Sequence, residues 1–306
     1  MKQAVGDSAV SSPHNTDPAV KRQRWFGMTA MIISAMAFGW LGVFARLAYD
    51  DGTEPITVLC LRFSIAAIVM HGMLRLRGER LPRGKLLIGL ILLGGIGYVG
   101  QSLAYFVALT MASAGLVAVL LYLYPGLVTL LAVVFFKERL TTRKLLALAL
   151  ALAGTALAIG PIGGGKPLGI MLGIAAAVIY AIYITVGSQI TARAGAIPAS
   201  TVIMSAAAVV YTGIMLARGP VWPASINGWL AIVGIALVAT VLAIVMFFVG
   251  LERIGPTAAS TISALEPLVS VGAAVVVLHE PVSFWQLGGG LLILTAVVLL
   301  ARNSQT

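Results

Sequence analysis

Two ionisable residues, Arg62 and Glu266, lie inside long apolar runs of the chain. A charge in hydrocarbon costs about 2.5–3.5 kcal/mol on insertion scales, so it is kept where it faces a cavity or a partner. A guanidinium and a carboxylate in such places could hold the two charged ends of a zwitterion, or Glu266 could carry a proton. The competing readings are snorkelling or a structural ion pair for Arg62, and a hydrogen-bonded carboxyl for Glu266. Ser260, Ser263 and Ser270 fall with Glu266 inside about 120° of arc on one helix, a polar stripe that either lines a cavity or glues helices together. Tyr98, Gln101 and Tyr105 share another helical face, and Tyr180 shares one with Tyr183. Trp40 sits deep in the first apolar run, away from an interfacial belt. Such rings offer flat apolar faces with one hydrogen-bonding edge, suited to apolar or aromatic solutes; plain packing is the alternative for each. Metal chemistry has little to work with: Cys60 is the one cysteine, and His14, His71 and His279 are far apart in sequence. No metal or cofactor is expected.

The elements that must position these residues are membrane helices. Sixty per cent of the 306 residues are hydrophobic and 10 % are charged, against roughly 25 % in an average soluble domain. Lipid as the outer solvent accommodates such a surface. A spanning helix needs about 20 apolar residues, and ten segments qualify: 25–48, 55–75, 85–108, 113–136, 143–160, 168–190, 199–217, 227–250, 257–278 and 284–301. Residues 1–24 read as a polar, disordered tail. The net charge of +10 is distributed in short clusters between apolar runs, which fits membrane topology better than nucleic-acid binding. With the N-terminus in the cytoplasm, sixteen of the twenty Lys and Arg residues fall on the cytoplasmic side, three fall outside, and Arg62 lies within a span. The positive-inside rule therefore predicts both termini in the cytoplasm of a multi-pass protein of the cell's inner (plasma) membrane.

A shift of 142 residues lays the second half on the first. Leu123, Pro125 and Glu138 meet Leu265, Pro267 and Glu280. Two repeats emerge, 25–160 and 168–302, each with five helices. Tandem copies of an odd number of helices enter the membrane from opposite sides, so the halves are expected to be inverted. Inverted repeats allow alternating access, because exchanging the conformations of the halves exchanges which side is open. Pro125 and Pro267 are expected in mid-helix, as hinges or static bends. Glu138 and Glu280 read as structural, capping the next helix or pairing with basic groups. Gly94, Gly97, Gly100, Gly169 and Gly173 read as points of close helix approach.

The residues Tyr124-Pro125, Phe136-Lys137-Glu138-Arg139-Leu140, Glu266-Pro267 and His279-Glu280-Pro281-Val282, with Ala37-Phe38-Gly39-Trp40 in the first span, resemble the pattern of the EamA branch of the drug/metabolite transporter superfamily. The resemblance runs from about residue 25 to 302, with one departure: His279 stands where the first half has Lys137. It implies a ten-helix basket around a central cavity and export of amino acids or related metabolites, closest to the aromatic and neutral amino-acid exporters.

A multidrug or other metabolite carrier on the same fold is the alternative. A membrane enzyme would call for paired acids, His-Glu-x-x-His or a Ser/His set, and a channel for a selectivity loop or charged rings; the sequence presents neither. A structural membrane subunit is a weaker fit to a buried acid. The expected partners are the lipid bilayer and a small-molecule substrate, with a single chain sufficient to form the cavity. Orientation is testable in a Cys60→Ser background: a membrane-impermeant maleimide applied to intact cells should label Glu54→Cys and leave Ser12→Cys unlabelled.

Overall fold

The computed structural model describes residues 18–136, 141–159 and 165–303. Most of the predicted tail, Glu138 with its Lys-Glu-Arg motif, and Gly163-Gly164 lie outside the described residues. Within them the chain is helical: α1 (Pro18–Gly39), α2 (Leu41–Asp50), α3 (Pro55–Leu76), α4 (Lys85–Leu92), a π-helical turn (Leu93–Tyr98), α5 (Val99–Ala108), α6 (Ala114–Leu121), α7 (Tyr124–Phe136) and α8 (Thr142–Ile159), then α9 (Pro167–Ala194), α10 (Ala196–Arg218), α11 (Ile226–Ala236), a second π turn (Leu237–Leu242), α12 (Ala243–Ser263), α13 (Glu266–Leu278) and α14 (Phe284–Asn303). Eight helical stretches are long and apolar enough to cross a membrane; Glu266–Leu278 and Phe284–Leu299 are shorter apolar helices. The outward surface is apolar, with Leu76 90 % and Phe284 92 % exposed, as lipid-facing positions require.

The predicted spans are less continuous than their hydropathy. The fourth breaks at residues 122–123 and the ninth at 264–265. Pro125 and Pro267 are thus not in mid-helix: each is the second residue of a new helix, α7 or α13. A first-turn proline is tolerated because the N–H it lacks would have no intrahelical partner. The residue that turns α12 is Gly255, at φ 75. The break before α13 also parts the serine stripe: Ser263 ends α12 and Ser270 is buried within α13. Ser260's side chain lies outside the described set.

Hydrogen bonds identify the two ends of the bundle. Thr201 at the start of α10 donates to Met70 O near the end of α3, and Val221 N, beyond α10, donates to Thr57 Oγ1 at the start of α3. The two helices therefore run antiparallel. The end holding residues 51–54, 109–113 and 219–225 is knitted together. Arg46 donates to Leu109 O at 2.6 Å, Tyr49 to Phe106 O at 3.0 Å, and Lys166 N to Met111 O at 2.8 Å. Glu280 accepts from Ala114 N at 2.9 Å and Gly115 N at 3.2 Å. It is a cap, as expected, but on α6 of the other half of the chain and not on the helix that follows it. Asp51 accepts from Ser225 N at 2.8 Å and Ser225 Oγ at 2.6 Å.

Close approach by small residues is borne out where the first π turn passes α10: a Cβ on Gly94 would lie 2.6 Å from Ile203 O. It is tightest where α8 packs on α14. A Cβ on Gly154 would lie 2.7 Å from Gly289 O, and one on Gly289 would strike Ala158 N and Gly154 O. Gly289→Val should therefore lower the unfolding free energy by about 1–3 kcal/mol, the usual cost of overpacking, in denaturant unfolding of the purified protein.

The Asp51 clamp carries a pH signature. Its hydrogen bonds from Ser225, side chain first, hold the carboxyl below its ordinary range. A carboxyl so held stabilises the fold above its unfolded pKa and stops doing so as pH falls through its folded one. Wild type should melt above Asp51→Ala at neutral pH, and the gap should close as pH falls through the carboxylate range.

Candidate functional site

Several irregularities in the helices deliver side chains to the same central region. The first π turn ends on Tyr98 and the second holds Thr240. Thr240 Oγ1 donates to Ile235 O at 2.8 Å, supplying a carbonyl at the π turn, and is left free to accept. It accepts from Arg62 Nε at 2.9 Å, while Arg62 Nη2 donates to Tyr98 Oη at 3.4 Å. The guanidinium also lies 4.8 Å from the Phe63 ring centroid and 5.2 Å from that of Phe106. Arg62 is thus pinned between the two π turns, one from each half of the chain. It is 2 % exposed, and no carboxylate lies within salt-bridge distance; Arg77–Glu79, on a loop, is the ion pair among the described residues. Neither snorkelling nor a structural ion pair describes it. Two of its five N–H donors are engaged by protein hydroxyls.

Glu266 opens α13 directly after the break. Its Oε2 accepts from Tyr122 Oη at 2.8 Å, and the same hydroxyl lies 3.0 Å from Ser263 O. Arg62 and Glu266 both line a small chamber of about 70 Å³, with Tyr98, Gln101, Tyr105 and Tyr122 among its walls. A larger vestibule of about 340 Å³ adjoins it and shares Phe38, Tyr98, Tyr124, Tyr180 and Glu266. The vestibule continues past Tyr183 and Ser263 to Ser188 and Thr191 near the end of α9 and Ser200 near the start of α10. That is the end of the bundle opposite the hydrogen-bonded loops.

An aromatic ladder joins the cation to the acid. Phe63 meets Tyr98 edge-on at 5.4 Å, Tyr98 stacks on Tyr183 at 5.4 Å, and Tyr183 stacks on Tyr180 at 5.9 Å. Tyr180 meets Tyr124 at 4.8 Å, and Tyr124 meets Tyr122 at 5.8 Å. The hydroxyls of Tyr105, Tyr124, Tyr180 and Tyr183 and the amide of Gln101 have no hydrogen-bond partner among the described residues, although all five side chains line the chamber or the vestibule. An apolar wall with a few unengaged polar groups, one cation and one acid is the usual make-up of a small-molecule site.

Eight of the nine binding candidates therefore converge: Arg62, Tyr98, Gln101, Tyr105, Tyr180, Tyr183, Ser263 and Glu266. Trp40 does not. It stands at the break between α1 and α2, its ring tilted against Phe44 at 5.4 Å, and Phe38 takes the cavity position. Sequence reasoning missed Tyr122, Tyr124 and Thr240. The repeat held a signal for Tyr124, since the 142-residue shift sets it opposite Glu266. Thr240 had none, because a π turn leaves no mark in hydropathy. Among the described residues no His/Cys/Asp/Glu cluster could hold a metal ion.

Long apolar helices around a central chamber define a polytopic membrane protein. Residues 25–160 and 167–302 each match the EamA-like transporter family, and the chain belongs to that family. It is a membrane transporter. An uncharacterized transporter of Archaeoglobus fulgidus is 27 % identical over 91 % of this chain and 97 % of its own length. The uncharacterized inner membrane transporter YicL of Salmonella typhimurium is 24 % identical over 91 % of this chain and 96 % of its own. One crystal structure superposes with a TM-score of 0.65 over 94 % of this chain and 99 % of the other at 24 % identity, a likeness of fold.

The Arg62 anchor predicts a graded mutational response. Thr240→Val, nearly isosteric, should cost about 2 kcal/mol of unfolding free energy by leaving a buried charged donor without its acceptor. Tyr98→Phe, which removes the longer bond, should cost less in the same unfolding measurement.

Proposed function

We propose that this chain is an alternating-access exporter of small zwitterionic metabolites, aromatic and neutral amino acids first among them. Its ten membrane helices form two inverted five-helix halves, 25–160 and 168–302, around a central cavity. Both termini are cytoplasmic and the working unit is a monomer. The observation that carries the reading is the pair Arg62 and Glu266, facing one aromatic-walled chamber without an ion pair between them. A substrate carboxylate would take the unused guanidinium donors, its ammonium would face Glu266, and its side chain would lie along the tyrosines. A phosphorylated solute would call for several cations, and among the described residues Arg62 is the single Lys or Arg lining the chamber or vestibule.

The packing supports the inverted arrangement. α1 lies on α12 and α5 on α9, while α3 meets α10, α6 meets α13 and α8 meets α14. Taken span by span, exchanging the halves of the chain maps this set of pairs onto itself, and the counterparts α3 and α10 run antiparallel. Alternating access is supported by the one-sidedness of the cavity. The vestibule runs to the end that the positive-inside rule makes cytoplasmic, and hydrogen bonds tie the opposite end. Pro125 and Pro267, each opening a helix after a break, are suited to act as hinges between the two states. The Phe247 and Phe248 rings on the vestibule favour a second reading, a lipophilic amine held by Glu266.

Counterflow in proteoliposomes preloaded with single amino acids tests the proposal. Saturable exchange of a subset is expected, with Arg62→Ala reducing it at least about tenfold, the equivalent of one charge-assisted hydrogen bond. No exchange of any amino acid by folded protein would overturn the amino-acid assignment, and exchange of lipophilic amines instead would establish the second reading. Conductance without saturation would make the chain a channel.

A further inference from the structure

The hydroxyl of Tyr122 is shared by two acceptors, and its partners can be counted. It lies 2.8 Å from Glu266 Oε2 and 3.0 Å from Ser263 O. A tyrosine hydroxyl has one proton to donate. Ser263 O has a particular need of it. In a continuing helix that carbonyl would accept from the N–H four residues on, but residue 267 is proline and has none. Within a bilayer no water replaces the missing donor without a cavity to hold it. With an ionised Glu266, two acceptors compete for one proton. With a protonated Glu266, the count closes: the carboxylic O–H donates to Tyr122 Oη, and Tyr122 Oη–H donates to Ser263 O.

We propose that Glu266, Tyr122 and the Ser263 carbonyl form a proton-binding relay across the break between α12 and α13, and that the bound proton is exchanged for the cationic group of the substrate. The exchange rests on the carrier reading above; the relay does not. When substrate enters, the Glu266 O–H bond breaks and its proton leaves to water in the vestibule. The Tyr122 proton stays on its oxygen and turns from Ser263 O to the new carboxylate. The substrate's ammonium then neutralises the charge. Loss of the proton thereby releases the last carbonyl of α12, so occupancy of the site is felt at the helix break.

The surroundings are compatible with both forms. Titratable groups facing the acid are Tyr122 and Tyr124 from the broken fourth span, Tyr180 and Tyr183 from α9, Tyr98 from the first π turn and Tyr105 from α5. Across the chamber Arg62 of α3 is the one cation in its walls. α1 and α2 contribute Phe38 and Leu41, which carry no charge, and α12 contributes Phe247 and Phe248. The anion lies at the positive end of α13, while the acid completes the chain of hydrogen bonds to Ser263 O. A cation bound by the same oxygens is the competing occupant.

Infrared difference titration of the full chain in lipid nanodiscs reads the relay without any need for transport. As pH falls from mildly alkaline to mildly acidic, a protonated-carboxyl C=O band should appear. Glu266→Gln should abolish it, and Tyr122→Phe should move it to higher frequency through loss of a hydrogen bond. No titrating band, persistence of the band in Glu266→Gln, or a response to sodium in place of pH would overturn the relay. The exchange is read separately, with a pH-indicator dye during saturation of the protein by tryptophan or leucine. About one proton released per molecule bound is expected. Saturable binding without proton release would overturn the exchange and leave the carrier reading standing. A titrating band with no amino-acid binding would retain the relay, overturn the exchange, and count against the amino-acid carrier.

Discussion

In hydrocarbon there is no water to accept an orphaned backbone group, so each departure from regular helix must be repaired by a side chain or opened to a cavity. Three of this chain's departures are met by side chains, two of them from across the fold. Pro267 removes a donor from Ser263 O, and Tyr122 of the other half supplies a hydroxyl. The second π turn is served by Thr240, whose oxygen then holds Arg62. The start of α6, with its unpaired N–H groups, is met by Glu280. The repairs couple the two halves, and all but the last meet at the chamber.

That concentration explains how the fold tolerates two ionisable groups at its centre. A guanidinium buried without a carboxylate is supported by two hydroxyls and two ring faces. An acid is supported by one phenol. Were the two in contact they would satisfy each other, and a solute would have to break a pair to enter. Held apart on one wall of tyrosines, they leave a cation and an acid facing the same space with no ion pair between them to displace. The Asp51–Ser225 clamp shows the opposite use of a carboxylate, engaged at a surface loop where its task is to close.

Much of this was legible in the chain. Hydropathy gave the helical character, the matched prolines and glutamates gave the repeat period, and the rarity of charge within apolar runs singled out Arg62 and Glu266. Helical spacing grouped Tyr98, Gln101 and Tyr105, and the grouping held even though a π turn ends at Tyr98, because all three lie at or after its end. What hydropathy could not convey was continuity. Residues 113–136 and 257–278 are as apolar as an unbroken span, yet each contains a break that the proline alone did not locate, since proline is as compatible with a first turn as with a kink. Trp40 was singled out by its depth in the first span, and depth does not say which way a residue at the break after Gly39 faces. Tyr122 escaped notice because its importance depends on a carbonyl 141 residues away.

The halves of the chain are alike in plan but not in chemistry. Where the second opens α13 with Glu266, the first opens α7 with Tyr124. If the two halves trade conformations, the acid passes from one kind of helix opening to the other while its counterpart never bears a charge. The two end states of the cycle are then unequal in energy even when empty, and the membrane potential acts on one of them through a side chain that the other half lacks. Two like halves set the plan, and a single difference at its centre is enough to favour one end state over the other.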